Sequence, residues 1–171
     1  MPGTLLIACG NPLRGDDGVA HEVLRRVGDG IGRELRFVHQ LVPELAEEIA
    51  GFARVVFVDA DVASVSPVIE AVCVTIAGSP LTHAAIPAEI VALARGLFGF
   101  EGEAFVCRIP AHDFSVGQGL SPHERDTADE AAKQLNRFLH KADGTAGTAD
   151  AEPEHKGSEA DHEARRAGDF V

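Results

Sequence analysis

Two uninterrupted apolar runs constrain this chain more than any other feature. Residues 5–9 (LLIAC) and 54–59 (RVVFVD) carry no polar side chain through their centres, so a strand made from either must be buried on both faces. Such strands belong in a sheet covered by helices on both sides. The segments between them supply the helices. Residues 18–27 place Val19, Val23, Leu24 and Val27 at helical spacing, and residues 43–50 form a short helix with Pro43 in its first turn. Residues 87–98 set Ile90, Val91, Ala94 and Leu97 on one face. Residues 35–39, 70–76 and 103–109 are predicted as further strands. Ser121 and Glu124 form a capping box that opens a last helix. Five strands alternating with helices in this order predict an α/β protein, a three-layer α/β/α sandwich around a mixed, mostly parallel sheet. In such sheets ligands bind beyond the carboxyl ends of the strands, where the strand order reverses.

Composition narrows the function. The 171 residues are 45% hydrophobic, enough for one domain with a true core. The formal charge of −12 argues against nucleic acid, because gripping a phosphate backbone requires clustered Lys and Arg. No run reaches the roughly 18–20 apolar residues of a membrane span. Met1 to Thr4 lack the basic flank of a secretory signal, and the expectation is a cytoplasmic protein. Cys9, Cys73 and Cys107 lie far apart in apolar runs and read as buried, reduced thiols. After residue 140 large apolar groups nearly vanish. Residues 141–171 are predicted to form a disordered acidic tail, leaving residues 1–140 as the folded domain.

Chemistry gathers at the predicted strand ends. The first strand runs into GNPLRGDDGV, where Gly10, Gly15 and Gly18 are spaced G-x4-G-x2-G. That is neither the dinucleotide nor the Walker pattern. Asp16 and Asp17 also occupy the helix start where a phosphate would sit, and they would repel it, so no nucleotide cofactor is expected. Asp16 is expected to cap the helix, which leaves Asp17 free to reach across the strand ends. Asp59 closes the central strand and faces the crevice, while Asp61 reads as a loop residue or cap. His83 lies in the loop before residues 87–98. Two carboxylates and an imidazole converging at a switch point form an N/O site for Zn, Ni, Mn or Fe with open positions. There is no GxSxG, no HExxH and no Cys placed with a His and Asn for nucleophilic catalysis. His21 and Glu22 read as a helix surface pair, and His39 and His112 as polar loop residues near the same edge.

GNPLRGDDGV after an apolar strand, VDA ending the central strand, a loop histidine before PAEIVALAR, and GQGLSP before the last helix resemble, in that order, the nickel–iron hydrogenase maturation endopeptidases. The resemblance covers residues 4 to about 140. It implies a phosphorylase/hydrolase-like sandwich of five strands with one antiparallel, a role suited to residues 70–76. It implies a peptidase, an aspartyl-type hydrolase, that removes a C-terminal extension from the precursor of the hydrogenase large subunit after nickel insertion. Asp17, Asp59 and His83 match the family's metal-binding and catalytic positions, the nickel being supplied by the substrate. The resemblance also implies a monomer. Related members often carry Gly-Gly-Thr after the second strand, where this chain has His39-Gln40-Leu41, so the loop that meets substrate differs.

Two other readings compete. A nickel-dependent checkpoint protein could keep the fold and bind the precursor without cutting it. A receiver-like signalling domain is the weaker alternative, since Asp16 and Asp17 lie too far beyond Cys9 and the fifth strand ends in Arg108-Ile109-Pro110 without the expected Lys.

Overall fold

Leu5, Leu6, Ile7 and Ala8 are fully buried, and so are Val55, Val56, Phe57 and Val58. These eight residues are the middle of the protein. They belong to strands β1 (Thr4–Cys9) and β3 (Arg54–Asp61), which pair in parallel with Leu5 opposite Val55 and Ala8 opposite Val58. The computed structural model describes residues 3–74, 86–117 and 119–146. Around the central pair the sheet adds β2 (Arg33–Val38), β4 (Val68–Ala71) and β5 (Glu103–Pro110) in the order β2-β1-β3-β5-β4. β4 alone runs antiparallel, against β5, as the resemblance implied for the fourth strand.

Alternation along the strands sorts the core into two layers. Leu5, Ile7, Val55 and Phe57 face helices α2 (Leu45–Ile49) and α3 (Pro87–Phe98). Leu6, Ala8, Val56 and Val58 face α1 (Val19–Val27) and α4 (Pro122–Ala146). On α4 the fully buried apolar residues Ala128, Ala131, Leu135 and Leu139 form one stripe at helical spacing. Arg26 ties α1 to α4, donating to the Arg125 carbonyl at 2.7 Å and pairing with Asp129 at 2.8 Å. At the start of α3 the Glu89 carboxylate accepts the Ile86 N–H at 3.1 Å, which satisfies a donor the helix cannot. The three-layer α/β/α sandwich predicted from the sequence is the observed fold.

Some boundaries differ. β4 begins at Val68, directly after Pro67, and ends at Ala71 instead of running through residues 70–76. As an edge strand it needs partners on one side only, and the last of these bonds is Val72 N–H to Ala104 O at 2.8 Å. α4 continues to Ala146, so residues 141–146 are helical rather than the first part of a tail. The rest of the expected tail lies outside the described residues. Cys107 is buried, whereas Cys73 is exposed because it follows the edge strand, and all three cysteines are free. No helix among the described residues is long and apolar enough to cross a membrane.

Phe57 is among the largest fully buried side chains and stands in the central strand under α2 and α3. Phe57→Ala is expected to lower unfolding free energy by about 3–5 kcal/mol, the cost of the lost transfer plus the cavity. Denaturant titration of both proteins measures it.

Candidate functional site

The strand order reverses between β1 and β3: the chain leaves β1 toward β2 on one side, while β3 is flanked by β5 on the other. The crevice therefore opens at the carboxyl ends of these two strands. Ala8 opposite Val58 is the last pair of the ladder, which sets Cys9 and Asp59 next to each other at its end.

The loop after β1 brings a second carboxylate to the same place. Gly10 has φ +139°, and a Cβ on it would run into the backbone carbonyl of Asp17. Only glycine lets the chain fold back this closely. A single 3-10 turn, Gly15–Gly18, carries both aspartates into α1. The Asp17 carboxylate accepts the Asn11 N–H at 3.0 Å and is thereby folded toward the end of β1. The three glycines of the G-x4-G-x2-G pattern thus serve close backbone approach: a Cβ on Gly15 would meet the Asp113 carbonyl, and one on Gly18 would meet Pro12.

The electrostatics of the two carboxylates follow from this placement. Burial pushes the Asp59 carboxyl up to about 6, with Asp17 and Asp61 raising it further and the Ala60 N–H and Arg108 opposing. Burial likewise pushes the Cys9 thiol up to about 12, and the charges of Asp59 and Asp17 add to it. Cys9 is therefore a protonated thiol at neutral pH and no nucleophile. The carboxylates of Asp17 and Asp59 repel each other in a half-buried setting, a charge arrangement that a cation relieves and an anion aggravates.

Asp59 also lines a cleft of about 470 Å³ with Asp61, Glu70, Arg108, Ile86 and Pro87. Glu70 and Arg108 were not picked out from the sequence, although a lone Arg in the otherwise apolar AFVCRI run was a visible signal. Asp61 is the last residue of β3 and not a loop residue, although its carboxylate does cap the turn that follows, accepting from Ala63 N–H at 3.0 Å and the Ser64 hydroxyl at 2.6 Å. His83 lies outside the described residues; Ile86, three positions later in the chain, borders the same cleft as Asp59. Among the described residues no three His, Cys, Asp or Glu side chains are grouped closely enough to hold a metal ion.

Two expectations at this edge change. Asp16 does not cap α1, whose N-terminus has no side-chain cap. Its carboxylate is buried and accepts backbone N–H groups from the connection between β5 and α4. The predicted capping box of α4 is half formed: Ser121 Oγ accepts the Glu124 N–H at 3.2 Å. The Ser121 N–H goes to Asp16 instead of Glu124, at 3.1 Å. Glu124 is left fully buried, with neither carboxyl oxygen finding a partner among the described residues. His21 is not a surface residue either: it is buried in α1, its Nε2 lies 3.1 Å from the Val38 carbonyl, and burial holds its pKa below the usual value.

The fold is shared with solved hydrogenase maturation endopeptidases. The structure of the NiFe hydrogenase maturation protease HycI from Thermococcus kodakarensis KOD1 superposes with a TM-score of 0.62 at 19% identity, covering 81% of this chain and 93% of that one. The hydrogenase maturating endopeptidase HybD from E. coli gives 0.60 at 16% identity, over 82% of this chain and 93% of its own. A hydrogenase 2 maturation peptidase from Thaumarchaeota archaeon SCGC_AB-539-E09 gives 0.55 at 15% identity, over 83% and 98%. No protein-family model matches the sequence, and no curated protein matches it.

The unpartnered Glu124 makes stability pH-dependent. Burial, and then the nearby Asp16, push its carboxyl from an ordinary value of 4.5 up to about 7. Below pH 4.5 folded and unfolded chains both hold the proton. As pH rises from 4.5 toward 7 the unfolded chain releases it first, so stability falls, and the loss is complete above about 7. Glu124→Gln cannot ionise. It is expected to flatten the melting temperature between pH 5 and 8 and to melt several degrees above the native protein at pH 8, as calorimetry would show.

Proposed function

We propose that this chain is an endopeptidase of hydrogenase maturation: it removes the C-terminal extension of a nickel–iron hydrogenase large-subunit precursor once nickel has been inserted. The observation that carries the reading is the meeting of Asp17 and Asp59 at the β1/β3 switch point, in a fold shared with solved maturation proteases. The nickel belongs to the substrate. Asp17, Asp59 and His83 supply two carboxylates and an imidazole, donors suited to a borderline divalent ion, and the mutual repulsion of the carboxylates favours its approach.

Each residue then has a role in the cut. Asp17 grips the loaded centre from the 15–18 turn and Asp59 from β3 where its ladder with β1 ends, and His83 completes the grip. Holding the centre there sets the adjoining peptide in the cleft beside Asp59, which converts recognition into proximity. A metal at this position polarises a carbonyl or lowers the pKa of a bound water. Cys9 stays protonated and takes no covalent part. The protein acts as a cytoplasmic monomer, without nucleotide, membrane or nucleic acid.

A second reading, a checkpoint protein that binds the loaded precursor without cutting, draws on His39-Gln40-Leu41. His39 is exposed at the same edge, its ring 6.5 Å from that of His21, where the family often has Gly-Gly-Thr.

Intact mass of a hydrogenase large-subunit precursor, nickel-loaded and nickel-free, separates the readings. Incubation with this protein is expected to shorten the loaded form only. Asp17→Ala, Asp59→Ala and His83→Ala should each slow that shortening by about 100-fold or more, the scale of losing a positioning group, while melting stays cooperative. Unchanged mass with stable co-purification of the loaded precursor would favour the checkpoint. Normal cutting by all three variants would remove the site assignment.

A further inference from the structure

Asp16 is only 1% exposed. It stands one residue before Asp17, and its carboxylate accepts three backbone N–H groups from far along the chain. Oδ2 accepts from Asp113 at 2.9 Å and, more weakly, from His112 at 3.4 Å, while Oδ1 accepts from Ser121 at 3.1 Å. The Asp16 N–H itself donates to the Asp113 carbonyl at 2.6 Å, and the Gly117 N–H donates to Leu13 at 2.9 Å. One carboxylate thus collects both ends of the connection between β5 and α4 and pins them to the turn that carries Asp17.

We propose that Asp16 is a positioning residue: its buried carboxylate locks the β5–α4 connection onto the 15–18 turn, and this lock sets where Asp17 stands at the strand ends. The chemistry of the contacts supports it. At 1% exposure, and with three backbone donors on its roughly four lone-pair sites, Asp16 is turned into the protein and away from any ligand. Hydrogen bonds to a carboxylate are stronger than neutral ones, so the lock is stiff. The turn it holds is short, four residues of 3-10 helix without a side-chain cap, and depends on outside contacts for its position. Asp17 then needs only the Asn11 N–H to fix its side chain. The consequence for the reaction rests on the proteolytic reading above.

Asp16→Asn keeps the shape but places an NH2 group among converging N–H donors. The folded variant is expected to shift the Asn11 amide NMR resonance, which reports Asp17, together with those of His112, Asp113 and Ser121, while β1 and β3 amides stay in place. Its kcat on nickel-loaded precursor should fall about 10- to 100-fold, as for loss of a group that orients a ligand residue, with KM unchanged. Ser121→Pro, which removes one Asp16 donor together with the hydroxyl that accepts the Glu124 N–H, should give a smaller change of both kinds and serves if Asp16→Asn fails to fold. An unmoved Asn11 resonance, or a native kcat, in folded Asp16→Asn overturns the proposal. A raised KM at native kcat also overturns it, since Asp16 would then be shaping precursor binding. If the native protein cuts nothing, the proteolytic reading fails, and the Asn11 resonance alone decides whether Asp16 positions Asp17.

Discussion

Parallel pairing of β1 with β3 is the constraint on which the rest depends. Both strands are buried on both faces, so neither can sit at an edge, and helices must cover the sheet above and below. Because the chain leaves β1 for one side of the sheet and β3 is flanked by β5 on the other, the crossovers diverge and open a crevice between the two strand ends. The register places Cys9 and Asp59 at the mouth of that crevice. Gly10 then lets the chain turn back sharply enough to add Asp17.

Neighbouring aspartates in this structure have opposite environments, and the contrast separates structure from function. Asp16 is enclosed and fully hydrogen-bonded, as a buried charge must be. Asp17 and Asp59 are partly buried, and the charge of Asp17 adds to the burial that raises the Asp59 carboxyl. Such carboxylates are costly for the free protein and gain from a positive partner. A phosphate is disfavoured for the same reason, although the loop is glycine-rich. The glycines answer to backbone crowding within the protein.

The fold agrees with maturation proteases at identities of 15–19%, which shows how little of the sequence the architecture needs. Apolar alternation, strand ends and a few close backbone approaches suffice, and many hydrophobic combinations fill the same layers.

Period and punctuation in the sequence were enough to determine the two buried strands, the bounds of α3 and the placing of Asp59 beside the end of β1, because each depends on residues within one turn or one strand. The carboxyl-edge location follows from chain order alone. Asp16 was misread as a cap and Glu124 as half of a capping box because locally those roles fit. Their actual surroundings come from elsewhere: the donors to Asp16 lie 96, 97 and 105 residues away. The short antiparallel β4 and the exposure of Cys73 likewise depend on which neighbour an edge strand finds. Those outcomes only the tertiary structure decided, since hydrogen bonds and burial between distant segments are set by how the layers stack, and no local pattern encodes them.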